Sequence, residues 1–414
     1  MPPKFTKNAP GTLTPTTLRQ SRILRGRVEE RHVKLDAFVP APLPPKLDVL
    51  RFLGAVTREL VDATSAVSRL DGLAQTLADA DLLLHPLLLR EAKLSSRIEN
   101  TIASIEEVSL FDLTRTAQRE ETREVRNYIA AVRVGMESPL PICRRLMLEM
   151  HATLLEGVRG NDKGPGQFRN GQVIIGDENS PAEDARFVPP PPGPHLADCL
   201  DRFEKFVNDS SHSLPPLVAI AMAHYQFECI HPFRDGNGRI GRAIAAIQMC
   251  KGPEPLLRRP FVYISGFFDR FRSEYYDLLL RVSTHGDWTS WVRLFLSAVA
   301  AEARESASRV RRILELRDDY RSRITRRRAS ILLHRFIDHL VASPMITTRR
   351  AADLLGIAPQ AAQRHINELQ SKNILEETTG SNYGRIWAAR ELLRIIDDES
   401  MTDAEKLPRN TLTP

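Results

Sequence analysis

The stretch HPFRDGNGRIGR, residues 231–242, decides how the rest of the chain is interpreted. It lies between two apolar runs, PPLVAIAMAHYQFECI before it and AIAAIQMC after it. Both runs predict helices, so the stretch itself predicts a loop that leads into a helix near Arg239. Its glycines allow backbone N–H groups to approach an anion closely, and the start of the next helix offers further unpaired donors. The sequence therefore predicts an anion-binding loop.

The side chains of this loop are those that transfer of a phosphorus-containing group needs. His231 can take a proton from an attacking hydroxyl. Asp235 offers a carboxylate of the kind that holds Mg²⁺ beside phosphates. Arg239 and Arg242 lie three residues apart in the first turn of the helix, where both can bind phosphate oxygens. A base, a metal-binding carboxylate, an anion cradle and two arginines together favour phosphoryl or nucleotidyl transfer.

Three other kinds of site share single features with this loop. Gly236, Gly238 and Gly241 match the G-x-G-x-x-G spacing of dinucleotide-binding folds, but a helical run precedes them and PLLRRPF, residues 255–261, contains no acid. The G-x-x-x-x-G-K-[ST] pattern of P-loop proteins does not occur in the sequence. A plain turn between helices accounts for the glycines and leaves the histidine, the aspartate and the arginines unexplained.

The composition is that of a globular chain. Its 414 residues, 42% of them hydrophobic, allow two or three domains with a sizeable core. The formal net charge of +6 permits anionic partners without requiring them. There is no apolar run of the length that a membrane span needs, and the N-terminus lacks the apolar segment of a secretory signal. Four cysteines without metal-ligand spacing predict free thiols. We therefore expect a cytoplasmic protein without a membrane partner.

The pattern of apolar residues divides the chain into six predicted regions. They are a flexible Pro-rich arm (1–44), an N-terminal helical region (45–124), a helical core (125–300), a linker helix (301–335), a winged helix-turn-helix (336–397) and a flexible tail (398–414). Glycines around QVII, residues 172–175, predict a small β-hairpin flap within the core. The predicted fold class is therefore mainly α, a helical bundle with a β-hairpin flap and a C-terminal winged helix.

HPFRDGNGRIGR resembles the signature of the Fic (Fido) family, H-x-F-x-[DE]-G-N-G-R-x-x-R, at every defined position. GQFRNGQVIIGD with FVPPPP, and SEYYDLLLRVSTHGDWTSWVRLFL, also resemble this family, so that the resemblance covers about 45–397. It implies a Fic-type helical bundle and a protein adenylyltransferase, which transfers AMP from ATP to a Ser, Thr or Tyr hydroxyl of a target protein or of itself. A branch of the family that acts as a kinase carries Lys at the position of Gly238, so the glycine favours AMP transfer.

The resemblance also implies a role for each residue of the loop. His231 would be the general base, Asp235 would hold Mg²⁺, and Phe233 would anchor the loop in the core. The anion cradle and the arginines would bind ATP, with Asn237 on the α-phosphate and the arginines on the outer phosphates: Gly236, Asn237, Gly238, Arg239, Gly241 and Arg242. The flap would pair with the backbone of the target protein, strand to strand, through Gln172, Val173, Ile174 and Ile175.

A second motif lies in SSRIEN, residues 95–100, on a helix predicted over about 82–109. Ser95 and Glu99 are four residues apart and share a helix face. Without the loop, Glu99 would be interpreted as a solvated glutamate. The stretch resembles the inhibitory motif of one Fic class, [ST]-x-x-x-E-[GN], which implies that Glu99 pairs with Arg242 and forces ATP into an unproductive position. The same glutamate could instead orient water to remove AMP from a modified protein, and both directions stay open.

The predicted winged helix offers a second function. It carries the basic side chains Arg349, Arg350, Arg364 and His365, and its second helix is predicted to expose Gln360, Gln363 and Arg364. Such side chains can read base edges and follow phosphates, although related domains also serve protein contacts. An alternative function is therefore a DNA-binding regulator whose Fic core is a sensing module. A homodimer could gate inhibition by moving the helix that carries Glu99, but the sequence fixes neither the oligomeric state nor the target protein.

Overall fold

The computed structural model of the protein describes residues 3–24, 27–77, 79–114, 119–176, 181–324, 331–380 and 384–400. In these ranges the chain is mainly helical with two small antiparallel sheets, which confirms the predicted mainly α fold class. The α-helices are α1 Val49–Gln75, α2 Leu84–Ile98, α3 Ile105–Thr114, α4 Glu120–Glu137, α5 Arg144–Leu154, α6 Pro194–Val207, α7 Pro216–Ile230, α8 Asn237–Lys251, α9 Ser265–Arg270, α10 Arg272–His285, α11 Trp288–Ile324, α12 Ile331–Ala342, α13 Thr348–Leu355, α14 Pro359–Ser371 and α15 Arg390–Asp397. None of the helices in the described ranges has both the length and the apolar composition that a membrane span requires.

The helices α7 and α8 lie at the centre of the bundle and fix the loop between them. α7 starts on Pro216, whose missing N–H costs nothing at a helix start, and is buried on almost every side. The indole of Trp291, on α11, donates a hydrogen bond to the Ala221 carbonyl of α7 at 2.8 Å. A helix that is apolar on all sides belongs inside a protein. The buried helices α7 and α8 therefore form a rigid support for residues 231–236, which lie between them.

The N-terminal residues form a long hairpin, so the prediction of a flexible arm over 1–44 is wrong. The strands β1 (Gly11–Leu24) and β2 (Arg27–Pro40) pair antiparallel from Gly11 opposite Pro40 to Leu24 opposite Arg27. β1 is rich in threonine and β2 carries three valines, residue types that suit extended backbone, and most of the nearby prolines lie before or after the strands. Phe38 anchors the hairpin, since its ring packs on Phe187 and its N–H donates to the Val188 carbonyl at 2.9 Å.

The predicted flap is not a β-hairpin in the described residues. Its pairing is limited to one antiparallel bridge between Ile175 and Phe187, whose N–H and carbonyl groups exchange hydrogen bonds of 2.8 and 2.9 Å. Residues 172–174 have no strand partner because the polar side chain of Gln172 takes up nearby carbonyls, donating to Val173 at 2.8 Å and to Pro189 at 3.0 Å. Residues 177–180 lie outside the described ranges.

The helix predicted over 82–109 is interrupted after Ile98. Asn100 has a left-handed backbone, with φ at 63°, which asparagine tolerates better than most residues. The Thr101 N–H donates to the Ser96 carbonyl and the Asn100 N–H to the Arg97 carbonyl, both at 3.0 Å, in the pattern that commonly ends helices. α3 then begins at Ile105, so Glu99 is the residue that caps the end of α2 and does not lie inside a helix.

The C-terminal part of the described chain combines α12–α15 with a small antiparallel sheet. Its strands are β3 (Met345–Thr347), β4 (Glu376–Glu377) and β5 (Ile386–Ala388), with β5 in the centre. A helix, a strand, two helices and two strands follow one another, as in the predicted winged helix, and that assignment stays a prediction. The region boundaries predicted at 124/125 and at 300/301 fall inside α4 and α11.

Candidate active site

The candidate base lies exactly where α7 ends. His231 caps this helix with φ at 49° and ψ at 60°, and its N–H donates to the Phe227 carbonyl at 3.0 Å. Burial and the nearby Arg169 guanidinium lower the pKa of His231 to about 4, although the Glu228 carbonyl partly opposes this. The imidazole is therefore neutral at pH 7 and able to accept a proton.

Arg169 stabilises the start of the loop through hydrogen bonds, a role that the sequence did not indicate. Its side chain is 3% exposed and donates to the carbonyls of His231 at 2.8 Å and Pro190 at 2.5 Å. Its own N–H donates to the Pro232 carbonyl at 2.9 Å. Burial lowers the pKa of Arg169 to about 10, which leaves a cation at the carbonyl end of α7, where helices favour positive charge.

His151 is a second residue that the sequence did not indicate. It stacks on Phe233, with ring centroids 3.8 Å apart, and Phe233 is fully buried as predicted. The Gly166 N–H donates to His151 Nδ1 at 3.0 Å, so the ring proton is on Nε2, which donates to the Asp235 carbonyl at 3.0 Å. Burial lowers the pKa of His151 to about 4, so this neutral tautomer holds the backbone of the loop.

The side chain of Asn237 holds the loop together. Its Oδ1 accepts from the Phe233 N–H at 2.8 Å and its Nδ2 donates to the Phe233 carbonyl at 2.9 Å. The Asn237 side chain is therefore occupied within the loop, and the backbone N–H groups at the start of α8 have no partner within the helix and can bind an anion. Gly236 precedes them with φ at 77°, a conformation that suits glycine.

The ion pair that the sequence predicts between Glu99 and Arg242 is present. Arg242 is 1% exposed, and its NH2 group donates to Glu99 Oε1 at 2.9 Å. Arg242 also donates to the hydroxyl of Ser95 at 3.0 Å and to its carbonyl at 2.9 Å. Burial alone would raise the pKa of the Glu99 carboxyl, but the guanidinium holds it below its usual range. Arg242 is thus held at the end of α2 by three hydrogen bonds, two to Ser95 and one to Glu99.

The other predicted phosphate-binding arginine faces a different carboxylate. Arg239 is 3% exposed, and it lies 3.3 Å from Glu124 Oε2 and 3.5 Å from Asp235 Oδ1. Glu124 is itself buried on α4, a partner that the sequence did not reveal because 115 positions separate the two residues. In this structure Arg239 therefore fixes the position of Asp235.

The carboxylate of Asp235 is suited to coordinate Mg²⁺. It is 37% exposed, and one oxygen accepts the Gly236 N–H at 2.6 Å, which leaves the other free to coordinate. Among the described residues no group of three or more possible metal ligands lies together. A single carboxylate suits Mg²⁺, which keeps several waters and is commonly shared with substrate phosphates.

A pocket of about 460 Å³ is lined by several of the groups described above. Charged side chains and the start of α8 line it through Glu99, His231, Gly238 and Arg242. Apolar and aromatic side chains also line it: Ile175, Phe187, Tyr276, Leu279 and Leu280. Such a pocket offers charged groups to phosphates and apolar surface to a flat ring. Glu228 also lines it, and burial raises the pKa of this carboxyl to about 7 despite the opposing effect of Arg242.

The N-terminal hairpin contacts the predicted target-docking residues. Ile174 packs against a small cluster formed by Leu18 and Val33 of the hairpin with Ala182. Thr16 donates a hydrogen bond to Gln172 Oε1 at 2.9 Å. The hairpin thus covers part of the surface that the sequence assigned to the target protein.

The helical bundle and its glycine-containing loop define a Fic-type protein. Residues 57–137 match the family model described as Fic/DOC family N-terminal, and residues 141–249 match that of the Fic/DOC family. The chain therefore contains an N-terminal domain and a core domain that match the Fic/DOC family, at residues 57–137 and 141–249.

Individual relatives agree with this assignment. The curated proteins named Protein adenylyltransferase Fic from Drosophila grimshawi and Drosophila mojavensis are each 32% identical over 163 residues, which is 39% of this chain. That stretch covers 29% and 28% of the two relatives, so the chain matches less than a third of their length. A Fic family protein from Desulfovibrio desulfuricans has a similar fold, with a TM-score of 0.52 and 20% identity over 80% of this chain and 95% of that one.

Proposed function

We propose that this protein transfers AMP from ATP to a hydroxyl group of a target protein. The observation that carries the proposal is that His231, the start of α8 and Arg242 line one pocket. A neutral base, an anion cradle and a buried cation are what attack on a phosphate requires. The relatives named Protein adenylyltransferase Fic support the same reaction.

The proposed reaction follows from the position of each group. His231 takes the proton of the target hydroxyl as its oxygen attacks the α-phosphorus, and the bond from that phosphorus to the bridging oxygen of pyrophosphate breaks. N–H groups at the start of α8 hold the α-phosphate, and Arg242 holds the outer phosphates once Glu99 has left it. Asp235 would hold Mg²⁺, which neutralises charge that develops on the phosphates.

The same geometry supports autoinhibition. Glu99 occupies the guanidinium that the outer phosphates would need, and its negative charge repels them. ATP must therefore break a nearly buried ion pair before it can bind productively. The ionised Glu99 also faces the pocket, so the removal of AMP by a water held on this carboxylate is the competing direction.

The test uses the full chain and a cell extract with ATP labelled at the α- or the γ-phosphate. We expect this protein to add α-label to protein, more strongly with Glu99→Gly, and to leave γ-label at the level of the extract alone. The matched control is His231→Asn, since asparagine tolerates the positive φ of this position and cannot act as the base. Absence of α-label with both wild type and Glu99→Gly would refute the proposal. Release of AMP from protein labelled by Glu99→Gly, on addition of wild type, would establish the reverse direction.

The exposed face of α14 supports a second candidate function, DNA binding. Gln360 and Arg364 are exposed on this helix, and Arg349 and Arg350 are exposed on α13 beside it. Exposed arginine and glutamine side chains on a helix-turn-helix can reach phosphates and base edges. A mobility shift of duplex DNA by the full chain that weakens with salt, and with Arg364→Gln, is expected. No shift at low salt would exclude this candidate.

A further inference from the structure

An acidic segment of the C-terminal module holds the helix that carries Glu99. The residues Asp397, Asp398 and Glu399, at the end of α15 and just after it, are here named the acidic latch. Lys93 of α2 lies 2.5 Å from Asp397 Oδ1 and 2.7 Å from Glu399 Oε1. Arg97 of α2 also contacts the latch, because it donates to both carboxylate oxygens of Glu399, at 3.0 and 2.9 Å.

The latch is fixed on its other side to the long helix α11. Arg309, which is 1% exposed, donates to the carbonyls of Ile395 at 3.0 Å and Asp398 at 2.5 Å. Arg312 pairs with Asp398 Oδ2 at 2.7 Å. Because α11 is buried along most of its first half, the latch connects a rigid helix of the bundle to the last two turns of α2.

Arg97 links the latch to the pocket. It lies two residues before Glu99 and within the hydrogen-bonded turn that ends α2, where its carbonyl accepts the Asn100 N–H at 3.0 Å. Its guanidinium also donates to Asp269 of α9, with its Nε at 2.9 Å from the carboxylate. A displacement of this side chain therefore moves the backbone that positions the Glu99 carboxylate against Arg242.

We propose that the acidic latch stabilises the inhibitory position of Glu99, so that the C-terminal module regulates AMP transfer from outside the pocket. The inference rests on the proposed function of Glu99. The latch carboxylates are 44% exposed in Asp397 and 37% in Glu399, and exposed ion pairs are weak singly. Their network can shift the equilibrium of the α2 end by about fivefold, which corresponds to about 1 kcal/mol.

The test compares two double variants of the full chain. Asp397→Asn with Glu399→Gln removes both latch charges and keeps their shapes. The matched control is Asp338→Asn with Glu391→Gln, which removes two carboxylates of the same module that pair with Arg321 and Arg323 of α11 and not with α2. We expect α-label transfer to rise about fivefold in the latch variant and to stay at the wild-type level in the control.

Hydrogen exchange of the amides at 99–101 provides a readout that needs no activity. These N–H groups close the turn at the end of α2, so they should exchange faster in the latch variant than in the control. If Glu99→Gly transfers AMP while the latch variant matches the control in both measurements, the latch is refuted and the proposed function stands. If Glu99→Gly transfers no AMP, the proposed function fails. Hydrogen exchange that is the same in the latch variant and the control would refute the latch whether or not AMP is transferred. Melting curves of both double variants are the check that each is folded.

Discussion

Replacing Glu99 by glycine tests the central contact of the site. The change removes the carboxylate that accepts from Arg242 at 2.9 Å and leaves the two hydrogen bonds from this arginine to Ser95. The backbone of Glu99, with φ at −93° and ψ at 19°, is open to glycine, so the end of α2 keeps its geometry. The arginine is then a nearly buried cation without a carboxylate, ready for the outer phosphates of ATP.

The size of the effect follows from the strength of one charged hydrogen bond. Such a bond contributes about 1.5 to 3 kcal/mol, and Glu99 is 34% exposed, which places the pair toward the lower part of that range. Productive ATP binding no longer has to break it, so AMP transfer should rise roughly tenfold to fortyfold. Without ATP the variant should unfold at a lower temperature than wild type, because a buried charge has lost its partner.

The assay measures initial rates of α-label transfer together with melting temperature with and without ATP. Glu99→Gln is the graded control, since its amide oxygen still accepts from Arg242 but carries no charge, and its rate should fall between the other two. ATP should raise the melting temperature of Glu99→Gly more than that of wild type. Equal transfer by all three proteins, or an ATP shift that is no larger in Glu99→Gly, would refute the competition between Glu99 and ATP for this arginine.

The remaining predictions concern the pocket wall and the hairpin. Because Glu228 has a pKa near 7, it gains a negative charge near the phosphate site as the pH rises, so the KM for ATP should increase from pH 6 to 8. Glu228→Gln should abolish that increase, whereas His231, with a pKa of about 4, contributes nothing in this range; a slope that persists in Glu228→Gln would contradict the assignment. Val33→Asp places a charge in the 4% exposed contact with Ile174, so limited proteolysis should cut residues 11–40 faster than in the exposed control Thr17→Asp.

The loop was predictable because its chemistry is local. Residue types at fixed spacing, with helices on both sides, indicated an anion cradle with a base at one edge, and Phe233 is buried as expected. The partner of Arg242 was predictable only through the resemblance to a known motif. Nothing in the pattern around Ser95 and Glu99 shows by itself which residue 143 positions away they meet.

The errors and omissions have two physical sources. Prolines near the N-terminus favoured a flexible arm, yet the threonine- and valine-rich stretches between them pair over 14 residues in each strand because Phe38 docks on the core. The supporting residues Arg169, His151 and Glu124 could not be identified because their partners are distant in sequence. Only the folded structure shows that Arg169 and His151 lie against the loop and hold its backbone.

The interruption of the predicted helix after Ile98 lets one short segment contact both Arg239 and Arg242, directly or through Glu124. On one side of it, Ser95 and Glu99 bind Arg242. On the other side, the hydroxyl of Thr101 donates to Glu124 Oε2 at 2.8 Å, the same oxygen that lies 3.3 Å from Arg239. Both arginines of the loop are therefore anchored, directly or through one carboxylate, to a seven-residue segment at the end of α2. A continuous helix through this segment would carry Thr101 round to another face, so the break is what lets one short segment restrain both arginines that are proposed to bind phosphate.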